Sequence, residues 1–111
     1  MAKYDVFPNP SGDGFLLDVQ TDLLSELNTR VVVPLIPKAS APKPATRLNP
    51  VFDIEGEHVV MVTQFLAAVP VGVIGAPISH LSNDFAQITN AIDMLMPVSY
   101  THLTLPTIYS V

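Results

Sequence analysis

Any reaction run by this 111-residue chain would have to draw on ten acids, five bases and three histidines, because it contains no cysteine. That absence removes a thiol nucleophile, a thiolate metal site and a disulfide framework together. Histidine can act as a general base or a metal ligand. His58, His80 and His102 are widely separated, and no two of them lie at the three- or four-residue spacing that would present paired ligands from one helix. Each reads as a surface residue. Asp53, Glu55 and Glu57 alternate along one side of a strand-like stretch and could hold a cation, yet an exposed strand face explains them equally well. The run "GVIGAP" lacks the glycine spacing and the following helix start that cradle a phosphate. Arg30 beside an aspartate could in principle cleave RNA, but spacing alone does not assemble the pair. An enzyme of this size should display an activated nucleophile or an acid–base pair. These residues therefore point to binding without catalysis, metal or cofactor.

Composition says what kind of surface could bind. The length fits one domain, 49% hydrophobic content can fill its core, and only 14% of residues are charged, against roughly 25% in an ordinary globular protein. Such a surface favours an apolar partner interface, including a homodimer contact. A net charge of -5 argues against gripping nucleic acid alone. Four of the five bases, Arg30, Lys38, Lys43 and Arg47, nevertheless share a stretch without acids. That stretch reads as a solvated loop or as a contact for an acidic protein segment. The N-terminus offers no signal-peptide core, and no apolar run approaches the ~18 residues of a membrane span, so a soluble, cytoplasmic protein away from membranes is expected.

The elements that would position a binding surface follow from patterning. "KYDVF" and "FLLDVQ" read as antiparallel strands joined by the turn "PNPSGDG", with Phe15, Leu17 and Val19 on one face and Leu16, Asp18 and Gln20 on the other. "TDLLSELNT" reads as a short helical turn capped by Thr21 or Asp22 and ended by Asn28. In "RVVVPLI", Pro34 lacks an N–H and predicts an edge or a bulge. "PKASAPKPATRLNP" is a stiff extended connection. "VFDIEGEHVVMVTQF" is a hairpin turning at Gly56, and "AAVPVGVIGAP" a bent strand. Leu81, Phe85, Ile88, Ile92 and Leu95 recur at helical spacing, predicting a helix capped by Ser82, Asn83 or Asp84 and stopped near Met96 by Pro97. The expected fold is mainly β with one C-terminal α-helix.

The series "DVQTDLL", "VPL", "VPVGVIG" and "NAIDMLM" resembles, in order and spacing, the CcdB family of plasmid and chromosomal toxins, from about Tyr4 to Met96. The resemblance implies an SH3-like barrel in a homodimer. It also implies a non-catalytic toxin that binds the A subunit of DNA gyrase and traps the cleaved-DNA complex. A partly disordered CcdA-like antitoxin neutralises such a toxin, and operator DNA is bound only by the two together. Family likeness assigns gyrase contact to Thr21, Leu23 and Leu24 after the second strand, and to Asp93, Met96 and Pro97 at the helix end. Leu23 and Leu24 read equally well as core residues, whereas Met96 lies off the apolar stripe and Met surfaces adapt to partners. An endoribonuclease toxin on the same architecture is the alternative.

The chain departs from the family after Met96. Residues 1–96 read as the toxin domain; residues 97–111, "PVSYTHLTLPTIYSV", carry no helical period and read as an out-of-family tail resembling translated adapter or vector sequence. Its "THLTL" alternation would also suit an added edge strand. The expected consequence is intact folding and dimerisation with impaired gyrase poisoning.

Overall fold

Alternating apolar residues at the start of the chain become the first two strands of a single seven-stranded sheet. The computed structural model describes residues 2–24, 26–41, 43, 45 and 47–96. The strands are β1 (Asp5–Pro8), β2 (Phe15–Asp18), β3 (Thr29–Pro37), β4 (Val51–Ile54), β5 (Glu57–Met61), β6 (Ala67–Pro70) and β7 (Ser79–His80), followed by the helix α1 (Phe85–Leu95). The sheet runs β4-β5-β3-β2-β1-β7, with β6 added to β3. This is a mainly β, nearly closed barrel sheet with one C-terminal helix, consistent with an SH3-like barrel.

The β1–β2 hairpin depends on its turn. Asn9 donates its N–H to Gly14 O at 3.2 Å and accepts from Ser11 N–H through Oδ1 at 2.9 Å. Gly14 has φ 91°, and a Cβ there would meet the Leu35 carbonyl oxygen, with Pro37 Cδ at 3.1 Å. Both conditions reserve the position for glycine. Gly14→Ala is therefore expected to cost about 1–3 kcal/mol, read as a lower urea midpoint. Gly12→Ala is the control: a Cβ at Gly12 meets nothing within 4 Å, and its midpoint should move by no more than about 0.5 kcal/mol equivalent.

β3 is central, which corrects the expectation of an edge or a bulge at Pro34. One margin of β3 pairs with β2. The other pairs with β6 through residues 29–32 and with β5 through residues 35–37. Pro34 sits where the second neighbour changes. Val31 O accepts from Val19 N–H on the β2 side, while Pro34 O accepts from Val62 N–H on the other. The missing proline donor thus falls between two partners and interrupts neither ladder. The β4–β5 hairpin turns through Glu55 and Gly56, both with positive φ (53° and 83°), the backbone of a tight two-residue hairpin. The bent strand expected at residues 67–77 is β6 ending at Pro70, followed by a 3-10 turn at Val71–Val73.

Both faces of β1–β3 are buried. On one, Val6, Leu17, Val33 and Leu35 join Ile54, Met61, Leu81, Ile88 and Ala91 in the main core. On the other, Phe7, Leu16 and Val32 pack against Ile74. The helix buries a narrower face than its stripe suggests. Ile88 and Ala91 are fully buried, but Phe85 is 57% exposed and Leu95 is exposed as well. The predicted side-chain cap is also absent: a 3-10 turn at Ser82–Asp84 leads into α1, and neither turn nor helix has a capping side-chain hydrogen bond. Ser82 Oγ instead meets His80 Nδ1 at 2.9 Å. The helix ends as expected, Met96 N–H donating to Ile92 O at 2.8 Å.

Candidate functional site

The short turn after β2 takes a 3-10 form at Asp22–Leu24. Thr21 shapes it, its Oγ1 accepting from Leu23 N–H at 3.3 Å and its carbonyl from Leu24 N–H at 3.1 Å. Leu23 is 92% exposed and Leu24 is exposed too, so neither belongs to the core. A polar network holds the turn from beneath. Buried Gln20 donates from Nε2 to Leu24 O at 3.0 Å and accepts from Val31 N–H at 3.1 Å. Asp18 Oδ1 accepts from Gln20 N–H at 3.0 Å, and Asp18 Oδ2 from Arg30 Nε at 2.8 Å.

Asp18 and Arg30 are 0% and 1% exposed. Arg30 Nη2 also makes ion-pair contact with Asp18 Oδ2 and lies 3.8 Å from Asp22 Oδ1, without hydrogen-bond geometry to either, while Nη1 has no partner among the described residues. Burial raises the Asp18 carboxyl above its ordinary value; the hydrogen bonds from Arg30 and from the Gln20 backbone oppose the shift without cancelling it. The arginine–aspartate pair that spacing could not assemble therefore exists, but it is sealed from any substrate phosphate. It also corrects the grouping of Arg30 with the solvated bases.

The helix end meets this turn through the N-terminal segment. Lys3 N–H donates to Asp22 Oδ1 at 2.8 Å. Lys3, Tyr4 and Val19, with Thr89, Asn90, Ile92, Asp93 and Met96 of the helical segment, line a groove of about 380 Å³. Tyr4 holds φ 74°, unusual for an aromatic residue; its N–H donates to Asp18 O at 2.6 Å and its carbonyl accepts from Leu81 N–H at 2.8 Å. Lys3 Nζ lies 5.2 Å from the Tyr4 ring centroid. Met96, part of this lining, is 52% exposed. The lining thus mixes apolar side chains (Tyr4, Val19, Ile92, Met96) with polar ones (Lys3, Thr89, Asn90, Asp93). That arrangement suits a protein partner.

Residues 3–97 match the model of a family described as CcdB protein. The chain belongs to the CcdB family. The CcdB family comprises toxins of toxin–antitoxin systems that poison gyrase and are not themselves catalytic enzymes. Of the six residues assigned by likeness to CcdB, Thr21, Leu23 and Leu24 lie on the turn and Asp93 and Met96 on the groove, joined through Lys3 and Asp22. Pro97 and the expectations for residues 97–111 lie outside the described residues, and the CcdB match ends at residue 97. Sequence reading misses Lys3, Tyr4 and Val19. They are legible only as strand residues, because the left-handed backbone at Tyr4 leaves no mark in composition.

The remaining titratable candidates do not converge. His58 pairs with Asp53 across the β4–β5 hairpin, both well exposed, and His80 bonds Ser82. His102 lies outside the described residues. No group of three or more potential metal ligands occurs among the described residues, and no described helix is long and apolar enough to cross a membrane.

Proposed function

We propose that this chain is a homodimeric toxin that binds the A subunit of DNA gyrase and traps the cleaved-DNA complex. A CcdA-like antitoxin neutralises it in the cytoplasm, and the two together occupy operator DNA. The observation that carries this reading is the exposed Leu23–Leu24 turn tied through Asp22 to Lys3, which lines the same groove as Asp93 and Met96, in a chain of the CcdB family. Exposed leucines on the turn and an exposed methionine in the groove lining are anchors of the kind a protein partner uses. The ribonuclease alternative is not favoured: its arginine and aspartate are both buried.

Residues 1–96 are the working domain in this reading, and activity is impaired by the out-of-family sequence at 97–111. Purified protein ending at Met96 with a short Trp-Gly-Ile tail is expected to produce gyrase-dependent double-strand breaks at lower concentration than the full chain. RNA cleavage without gyrase would reject the proposal, and equal potency of the two forms would reject the impairment by residues 97–111.

A further inference from the structure

Two polar residues of the run "DVQTDLL", Asp18 and Gln20, are buried. Asp18 answers the charge of Arg30, which accounts for its place in the interior. Gln20 answers no charge, and its bonds run instead from the sheet to the Leu23–Leu24 turn. At the end of β2, Val31 O accepts from Val19 N–H at 3.0 Å, while Val31 N–H donates to Gln20 Oε1 at 3.1 Å. A side-chain carbonyl thus stands in for a ladder acceptor where the chain leaves the sheet. With Oε1 committed to a donor, the other end of the amide must donate, and Nε2 meets Leu24 O at 3.0 Å. The Gln20 backbone is fixed as well, its N–H donating to Asp18 Oδ1 at 3.0 Å.

The turn has no packing of its own to hold it, since none of Asp22, Leu23 and Leu24 is buried. Hydrogen bonds must do so. Those to Thr21 Oγ1 and Asp22 Oδ1 are exposed to solvent, whereas the bond from Gln20 is partly buried and its donor residue almost wholly so. A bond shielded from water meets less competition from solvent donors and fixes geometry more firmly.

We propose that Gln20 is a positioning residue for the gyrase contact: its amide holds the Leu23–Leu24 turn in the form that meets the partner, without touching the partner itself. The proposal rests on the toxin reading above. A turn held in place before encounter loses less freedom on binding than one that the partner must order, so loss of the Gln20–Leu24 bond weakens binding with both leucines intact. Glutamate at this position keeps the shape and still accepts from Val31 N–H, but an ionised carboxylate has no hydrogen to give Leu24 O.

Two measurements test this. In the full chain, ¹⁵N order parameters of the Leu23 and Leu24 amides should fall in Gln20→Glu from about 0.85 to below about 0.6, with those of Val33 and Val60 unchanged. A merely destabilised fold would not move the turn alone. In the form ending at Met96 with the Trp-Gly-Ile tail, Gln20→Glu should need at least about fivefold more protein for the same gyrase-dependent breakage. On a Leu23→Ala/Leu24→Ala background the same change should matter by no more than about twofold, because the contact it acts through is gone. An equal factor on both backgrounds, or no effect on either, would overturn the proposal. Gln20→Met, which keeps the bulk without a buried charge, carries the same expectations and decides the matter should Gln20→Glu fail to fold. Absence of breakage by the unsubstituted form would reject the toxin reading itself, whereas unchanged order parameters at the turn would reject the role of Gln20 alone.

Discussion

Asp18→Asn is expected to destabilise the fold by about 3–5 kcal/mol, because it leaves the Arg30 guanidinium buried with only the exposed Asp22 carboxylate, 3.8 Å from Nη2, as counter-charge. The reverse change should cost less. An arginine cannot shed its proton in a protein, whereas a buried carboxyl can accept one. Burial already raises the Asp18 carboxyl, so Arg30→Met permits a neutral acid that Gln20 N–H still meets. Urea midpoints at pH 7 and pH 5 should separate the two: Arg30→Met recovers part of its loss on acidification, and Asp18→Asn recovers none. In the unmodified chain the sign also follows. Because the folded-state value lies above the unfolded one, the native form binds more protons between the two. The Asp18 contribution is then largest below about pH 4 and declines as pH rises through the raised value. Equal, pH-independent losses in both variants would show that the pair does not behave in this way.

Leu23→Asp should act on function and leave the fold alone. The side chain is 92% exposed, so the urea midpoint should hold within about 0.5 kcal/mol. At a partner interface, a projecting leucine on a turn tied to groove-lining Lys3 can serve as an anchor, and burying a carboxylate in its place costs about 2 kcal/mol or more, roughly thirtyfold in affinity. The measurement is gyrase-dependent DNA breakage by the form ending at Met96, with and without the substitution. Full potency would remove the turn from the interface. Loss of potency together with loss of stability would mean that the turn is structural.

Strands and helix are readable where neighbours in sequence decide the outcome. The "EGE" hairpin, the turn before Gly14 and the stop at Met96 depend on local backbone preference, and each stands where patterning places it. Pro34 escapes such reading because the cost of its missing donor depends on which strands lie beside it. That exchange of β6 for β5 involves residues some thirty positions away. Phe85 escapes it for a related reason: helical periodicity marks a face but not how much of that face the barrel covers. At the site, Leu23 and Leu24 cannot be sorted between core and surface from a run of three residues. Gln20 and Asp18, whose burial sets the turn above them, carry no local sign of it.

The placement of β3 bears on how the molecule comes into being. Its second margin is supplied by residues 57–61 and 67–70, and the main core is closed by Leu81, Ile88 and Ala91. A nascent chain leaving the ribosome therefore has no finished interior until nearly the whole barrel has been synthesised. The newborn polypeptide acquires its shape in a late, concerted step, and the interval before that step is when its unpaired strands are open to chaperones and proteases.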